Sequence, residues 1–325
     1  MQITENKSYR IQVLRGIAII AVVLLHNVPH AAMFQVWIRP FVNFSVGLFL
    51  FLSGMLSCLE RWDPKKRILK VIIPYAIWTL VYVGLSNINN VYNIPLAYIK
   101  SLVIADSASV MYYVFVYIEF TLLIPIIDKM AKSKYKYIGF IISPLEIIVM
   151  RMLPLMAGWE FNKYIGTVMH VSCLGWFSYF YFGYMIGNGL LQFKYKLPTS
   201  KIFVMLIFSV CLQIVEGFWY LSLGELNCGT QLKLSAILTG IIFVYLCYRY
   251  LDEEISKPKF IHLLGDYSFA IFFSHLAVMS CLRHIPYYTQ IAVFPLNTVV
   301  VISVCLLCAI LGKKVLGKFA KYVAL

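Results

Sequence analysis

Arg15 and His26 bracket the apolar run RGIAIIAVVLLH, residues 15–26. In a helix, eleven residues advance about 20° beyond three full turns and rise about 16 Å. A guanidinium and an imidazole therefore share one helix face, separated by roughly half a bilayer core. Only Gly, Ala, Ile, Val and Leu lie between them. Ionisable groups in such a run are costly and mark function by default. An imidazole that titrates near neutrality is the natural general base for deprotonating a hydroxyl. The plainer alternative has Arg15 snorkelling to one interface and His26 marking the other.

Further polar groups interrupt other apolar runs. Glu119 sits in VFVYIEFTLLIP and must be paired or protonated there. His275 lies in FAIFFSHLAV, Glu216 lies near the far end of its run, and Gln12 precedes the arginine. Arg15, His26, Glu119 and His275 facing inward would enclose a polar cavity, which catalysis and transport both require. In RWDPKKRILK, residues 61–70, Arg67 and Lys70 are three apart and project to one side of a helical turn. The pair suits a phosphate-bearing ligand. Charge that merely orients the chain in a membrane is the alternative.

The elements that must position these groups follow from composition. The chain has 325 residues, 61% hydrophobic and 13% charged, with mean hydropathy +0.81. Soluble domains carry roughly 25% charged residues. The expected fold is an all-α polytopic membrane protein of about ten transmembrane helices, near 11–28, 40–58, 71–87, 111–127, 137–153, 172–190, 202–222, 232–249, 263–282 and 291–311. Span 137–153 is the most interrupted, by Pro144, Glu146 and Arg151. No small-residue cleavage site follows the first run, so it reads as a retained span rather than a signal peptide. Residues 1–325 read as one transmembrane domain with no fused soluble domain.

Placing the N-terminus inside puts 21 of the 28 Lys and Arg in inner segments, including Lys194 and Lys257. The outer side holds six: Arg39, Lys100, Arg151, Lys163, Lys233 and Arg283. This positive-inside bias puts both termini in the cytoplasm. It also accounts for the net charge of +14 through orientation and anionic lipid, so no nucleic-acid partner is expected. Trp159 and Tyr164 read as interfacial belt residues, with stacking on a sugar ring as the alternative. Cys305-x-x-Cys308 lacks a second pair of ligands, so no metal is expected, and the eight cysteines read as small hydrophobes.

Four stretches, taken in order, resemble the membrane acyltransferase-3 family, whose bacterial members O-acylate cell-surface and secreted glycans. They are Leu14-Arg15-Gly16 with His26; VGLFLFLSGML, residues 46–56; Lys66-Arg67-Ile-Leu-Lys70 with Pro74; and LGDYSFAIFFSH, residues 264–275. The likeness covers nearly the whole chain. Gln12 stands where the family often has Asp, and Lys70 replaces the second arginine of the basic motif. The hydrolase-like domain that some relatives append is not seen.

The resemblance implies a protein of the bacterial inner membrane that takes acyl-CoA, most simply acetyl-CoA, as co-substrate with no permanently bound cofactor. Arg67, Lys70 and Arg15 would hold the CoA phosphates. His26 would act as base, Glu119 or another polar neighbour would fix its tautomer, and His275, Ser53 and Tyr181 would line the pore. Tyr179, Tyr181 and Tyr184 are candidates for an acyl relay. The acceptor would be a glycan, and polysaccharide-synthesis or export proteins are candidate partners. The rival reading is an exporter or flippase of a polysaccharide or lipid-linked sugar, although neither an internal repeat nor paired broken helices favour it.

Overall fold

The computed structural model describes residues 5–158, 169, 171–193, 195–251 and 258–325. Trp159, Lys163, Tyr164, Lys194 and Lys257 lie outside them. The described residues are helical and contain no strand. The main helices are α1 (Glu5–Asn27), α2 (Ala32–Ile38), α3 (Ser45–Met55), α4 (Pro64–Ser86), α5 (Ile94–Ile104), α6 (Tyr112–Ala131), α7 (Ile142–Ile147), α8 (Phe177–Gly187), α9 (Thr199–Ser222), α10 (Leu234–Tyr250), α11 (Lys259–Asp266), α12 (Ser268–Arg283) and α13 (Leu296–Leu316).

Among the described residues, five helices can cross a membrane by length and composition: Glu5–Asn27, Ala32–Met55, Pro64–Ser86, Thr199–Ser222 and Leu296–Val323. Counting α11 and α12, bent by 78°, as one broken span makes six. These spans make the chain a multi-pass membrane protein. The other expected spans depart from that pattern for local reasons. Helix α6 has 20 residues but carries Glu119, Asp128 and Lys129. Span 137–153 divides into a 3-10 turn, the six-residue α7 and a π turn, and α8 has only 11 residues.

Helix α9 shows what solvent its outer face prefers. Val204 and Ile207 are each 65% exposed, whereas Ser209 and Gln213 are fully buried. Apolar outside and polar inside is the pattern of a helix that faces lipid. Gln213 accepts from Asn43 Nδ2 at 2.8 Å and donates to Thr239 Oγ1 at 2.8 Å, which ties α9 to α10 and to the start of α3.

Two glycine contacts set the frame of the site. Helices α3 and α8 touch backbone to backbone: a Cβ on Gly54 would lie 2.1 Å from Phe180 O, and one on Gly183 would lie 2.0 Å from Phe51 O. Helix α1 meets α11 in the same way, since a Cβ on Gly16 would lie 2.0 Å from Ile261 O and one on Gly265 1.9 Å from Gln12 O. Small residues permit this close packing where no hydrophobic drive between helices operates.

Candidate active site

The Gly16–Gly265 crossing joins the first and last signature stretches. Beyond it the 78° bend turns α12 so that its next turns pack on the upper part of α1. His26 and His275 then lie with ring centroids 5.2 Å apart and planes inclined at 49°. His275 is fully buried, and its Nδ1 faces the carbonyl oxygens of Ile271 at 3.0 Å and Phe272 at 2.9 Å. Both partners are acceptors, so Nδ1 carries the proton and Nε2 keeps its lone pair. That Nε2 is buried with no protein partner. The turn is fixed by Tyr82, whose hydroxyl donates to Phe273 O at 2.6 Å and accepts from Ala277 N at 3.2 Å.

His26 itself makes no hydrogen bond to the described residues. It lines a cavity of about 240 Å³ together with Arg39, Ser45, Tyr112, Trp176 and Asn227. Ser45 Oγ and Trp176 Nε1 stand at this wall without protein partners. Such a cavity can seat a hydroxyl compound against an imidazole.

Toward the other end of α1, Arg15, Arg67, Lys70 and Ser53 line a second cavity of about 390 Å³, with Tyr113 and Tyr117. The start of α4 places the two α4 cations. Asp63 caps the helix, its carboxylate accepting from Lys66 N at 3.0 Å, and Pro64 occupies the first turn. Arg67 and Lys70 then project into one cavity from successive turns. Arg67 Nη1 donates to Ser57 Oγ at 2.9 Å, and Ser57 Oγ donates to Ser53 O at 2.8 Å. Arg15 Nη1 lies 3.4 Å from Gln12 Oε1, so a neutral amide stands where a carboxylate would neutralise it. Three cations in one recess suit a phosphate-rich anion.

Phe272 lines both cavities, and its ring lies 5.3 Å from that of Tyr113. Along α1 the two cavities are separated by roughly the 16 Å between Arg15 and His26.

Other expected site residues lie elsewhere. The Glu119 carboxylate accepts from Cys173 N at 2.6 Å and lines neither cavity. Tyr181 is fully buried in a core cluster, its hydroxyl donating to Lys136 O at 2.5 Å, so it packs rather than lines a pore. Tyr179 and Tyr184 are likewise engaged, by Ala236 O and Asp128 Oδ1. Conversely, Tyr112, Tyr113, Trp176, Asn227 and Phe272 face the cavities, and no local spacing marks them. Arg39 counts in the sequence only as an outer charge. Its place beside Pro40 at the head of a span was the available signal.

The acyltransferase-3 family model, described as an acyltransferase domain, matches residues 8–313. No curated protein and no solved structure matches the chain. The match takes in all four signature stretches and both cavities, and on it this chain belongs to the acyltransferase-3 family of membrane proteins.

Proposed function

We propose that this acyltransferase moves an acyl group, acetyl in the simplest case, from acyl-CoA to a hydroxyl of a cell-surface or exported glycan. It acts in the bacterial cytoplasmic membrane, with about ten spans and with the basic loops and both termini inside. The observation that carries this reading is the pair of cavities sharing Phe272, one ringed by Arg15, Arg67 and Lys70 and the other lined by His26.

The CoA phosphates rest on Arg67, Lys70 and Arg15, and the pantetheine arm extends along the α1 face toward Phe272. His26 takes the acceptor hydroxyl proton as the oxygen attacks the thioester carbonyl. The tetrahedral intermediate collapses, the C–S bond breaks, and the CoA thiolate leaves with the proton that His26 received. His275, with Nδ1–H tied to backbone, offers Nε2 to the imidazole beside it, the orienting role expected of Glu119.

Thiol release from acetyl-CoA by protein in nanodiscs, with and without a mixed glycan acceptor, tests the reading. Acceptor-stimulated release that is lost in His26→Ala supports it. A folded protein that neither binds CoA nor releases thiol turns the choice to the exporter.

A further inference from the structure

Arg39 has no part in the chemistry above, yet it lines both the His26 cavity and an adjoining one of about 320 Å³. This adjoining cavity is lined by His30, Gln35 and Asn227 among others and falls in the ~300–1,000 Å³ range of small-molecule sites. The guanidinium is fixed in place. Nη1 donates to Gln35 Oε1 at 2.8 Å, and the Gln35 amide is itself held by Pro29 O at 2.7 Å. Its methylene stem lies against Gly229, where a Cβ would come within 2.8 Å of Cδ. Nε is buried without a partner.

No ion pair among the described residues involves Arg39. Among the described carboxylates of this half of the protein, three are committed elsewhere, and Glu146, whose Oε2 is buried without a partner against Gly175, makes no ion pair with Arg39. Glu225 binds Arg151 at 3.4 Å and accepts from Asn227 N at 2.7 Å. Glu216 accepts from Leu234 N at 3.1 Å and Ser235 N at 2.8 Å, capping α10. Glu119 is held by Cys173 N. Tyr112, His26 and His30 share cavities with Arg39, and Cys228 and Lys233 lie nearby, Lys233 donating to Gln213 O and Cys228 O. A cation withdrawn from water and left without a counter-charge is expensive. A rigid, unneutralised arginine opening into a ligand-sized cavity is accordingly suited to a ligand's anion.

We infer that the acceptor is an acidic saccharide whose carboxylate or phosphate binds Arg39, close to the hydroxyl that faces His26. The acceptor role rests on the acyl-transfer reading; the anion site does not.

The test uses the full chain in phosphatidylcholine nanodiscs, first without acyl-CoA. A glucuronate-containing disaccharide, glucose 6-phosphate and a neutral glucose disaccharide are titrated by calorimetry. Wild type binds at least one anionic probe at least ~10-fold more tightly than the neutral one. Arg39→Gln removes that preference, and Arg39→Lys, which keeps the charge but not the fork, retains part of it. With acetyl-CoA added, the kcat/KM ratio of charged to neutral acceptor falls by a similar factor in Arg39→Gln.

Equal affinity for all probes overturns the inference, as does binding of none at millimolar concentration. Equal loss on charged and neutral acceptors also overturns it, by placing Arg39 at the reacting atoms. Arg39-dependent binding of phosphatidylglycerol in mixed discs, without saccharide binding, assigns the anion to lipid and removes the acceptor. Arg39-dependent saccharide binding without acyl transfer leaves the anion site standing and defeats the acyl-transfer reading instead. Monodispersity of the Arg39→Lys protein separates these outcomes from misfolding.

Discussion

His26 and His275 come from opposite ends of the chain, yet their rings lie 5.2 Å apart. The approach depends on Gly16 and Gly265, where α1 and α11 touch backbone to backbone, and on the 78° bend that follows. One imidazole faces a cavity while the other is tied by Nδ1 to its own helix. On the proposed reading the first is the ring that reacts and the second the ring that orients it.

This division predicts unequal losses. His26→Ala lowers kcat by ~10²–10⁴-fold, the usual worth of a general base. His275→Phe lowers it by only about 10-fold, an orienting partner's typical share. Thiol release under saturating acetyl-CoA measures both. An unaffected His275→Phe protein detaches His275 from the chemistry.

The basic cavity predicts an effect on donor binding. Arg67→Gln and Lys70→Gln each raise the KM for acyl-CoA by ~10-fold or more and change kcat little, as loss of uniform binding requires. Lys70→Arg lowers that KM, because the fork adds a second hydrogen bond to phosphate. A kcat effect alone argues against a phosphate role.

Phe272 is common to both cavities, and on the proposed reading the acyl group passes it. Phe272→Ala widens the passage and raises kcat/KM for butyryl-CoA relative to acetyl-CoA. Phe272→Trp narrows it and slows transfer without raising the donor KM. Competition between the two acyl-CoAs reads the ratio, and an unchanged ratio in both variants removes Phe272 from the path.

Helix packing predicts opposite signs at two glycines. Gly54→Ala places a Cβ 2.1 Å from Phe180 O and forces α3 from α8, costing about 1–3 kcal/mol. Gly84, inside α4 with nothing within 4 Å, gains about 0.5–1 kcal/mol on substitution by Ala. Thermal unfolding followed by tryptophan fluorescence gives both.

Some of this was legible residue by residue. The apolar excess implied membrane helices, because ~30 Å of hydrocarbon demands long apolar runs. The periodicity of one helix put Arg15 and His26 on a shared face, and the three-residue spacing put Arg67 and Lys70 in one cavity; both are local geometry. The partner of His26 was not legible. Glu119 and His275 both interrupt apolar runs, and only the α1–α11 crossing and the bend after it bring His275 close while Glu119 turns to Cys173 N. Tyr181 was indistinguishable from the tyrosines that face the cavities until packing put it against Gly139 and Lys136 O. Arg39 looked like one more charge outside a span. Whether a side chain meets lipid, core or cavity depends on neighbours far along the chain, and tertiary structure alone supplies them.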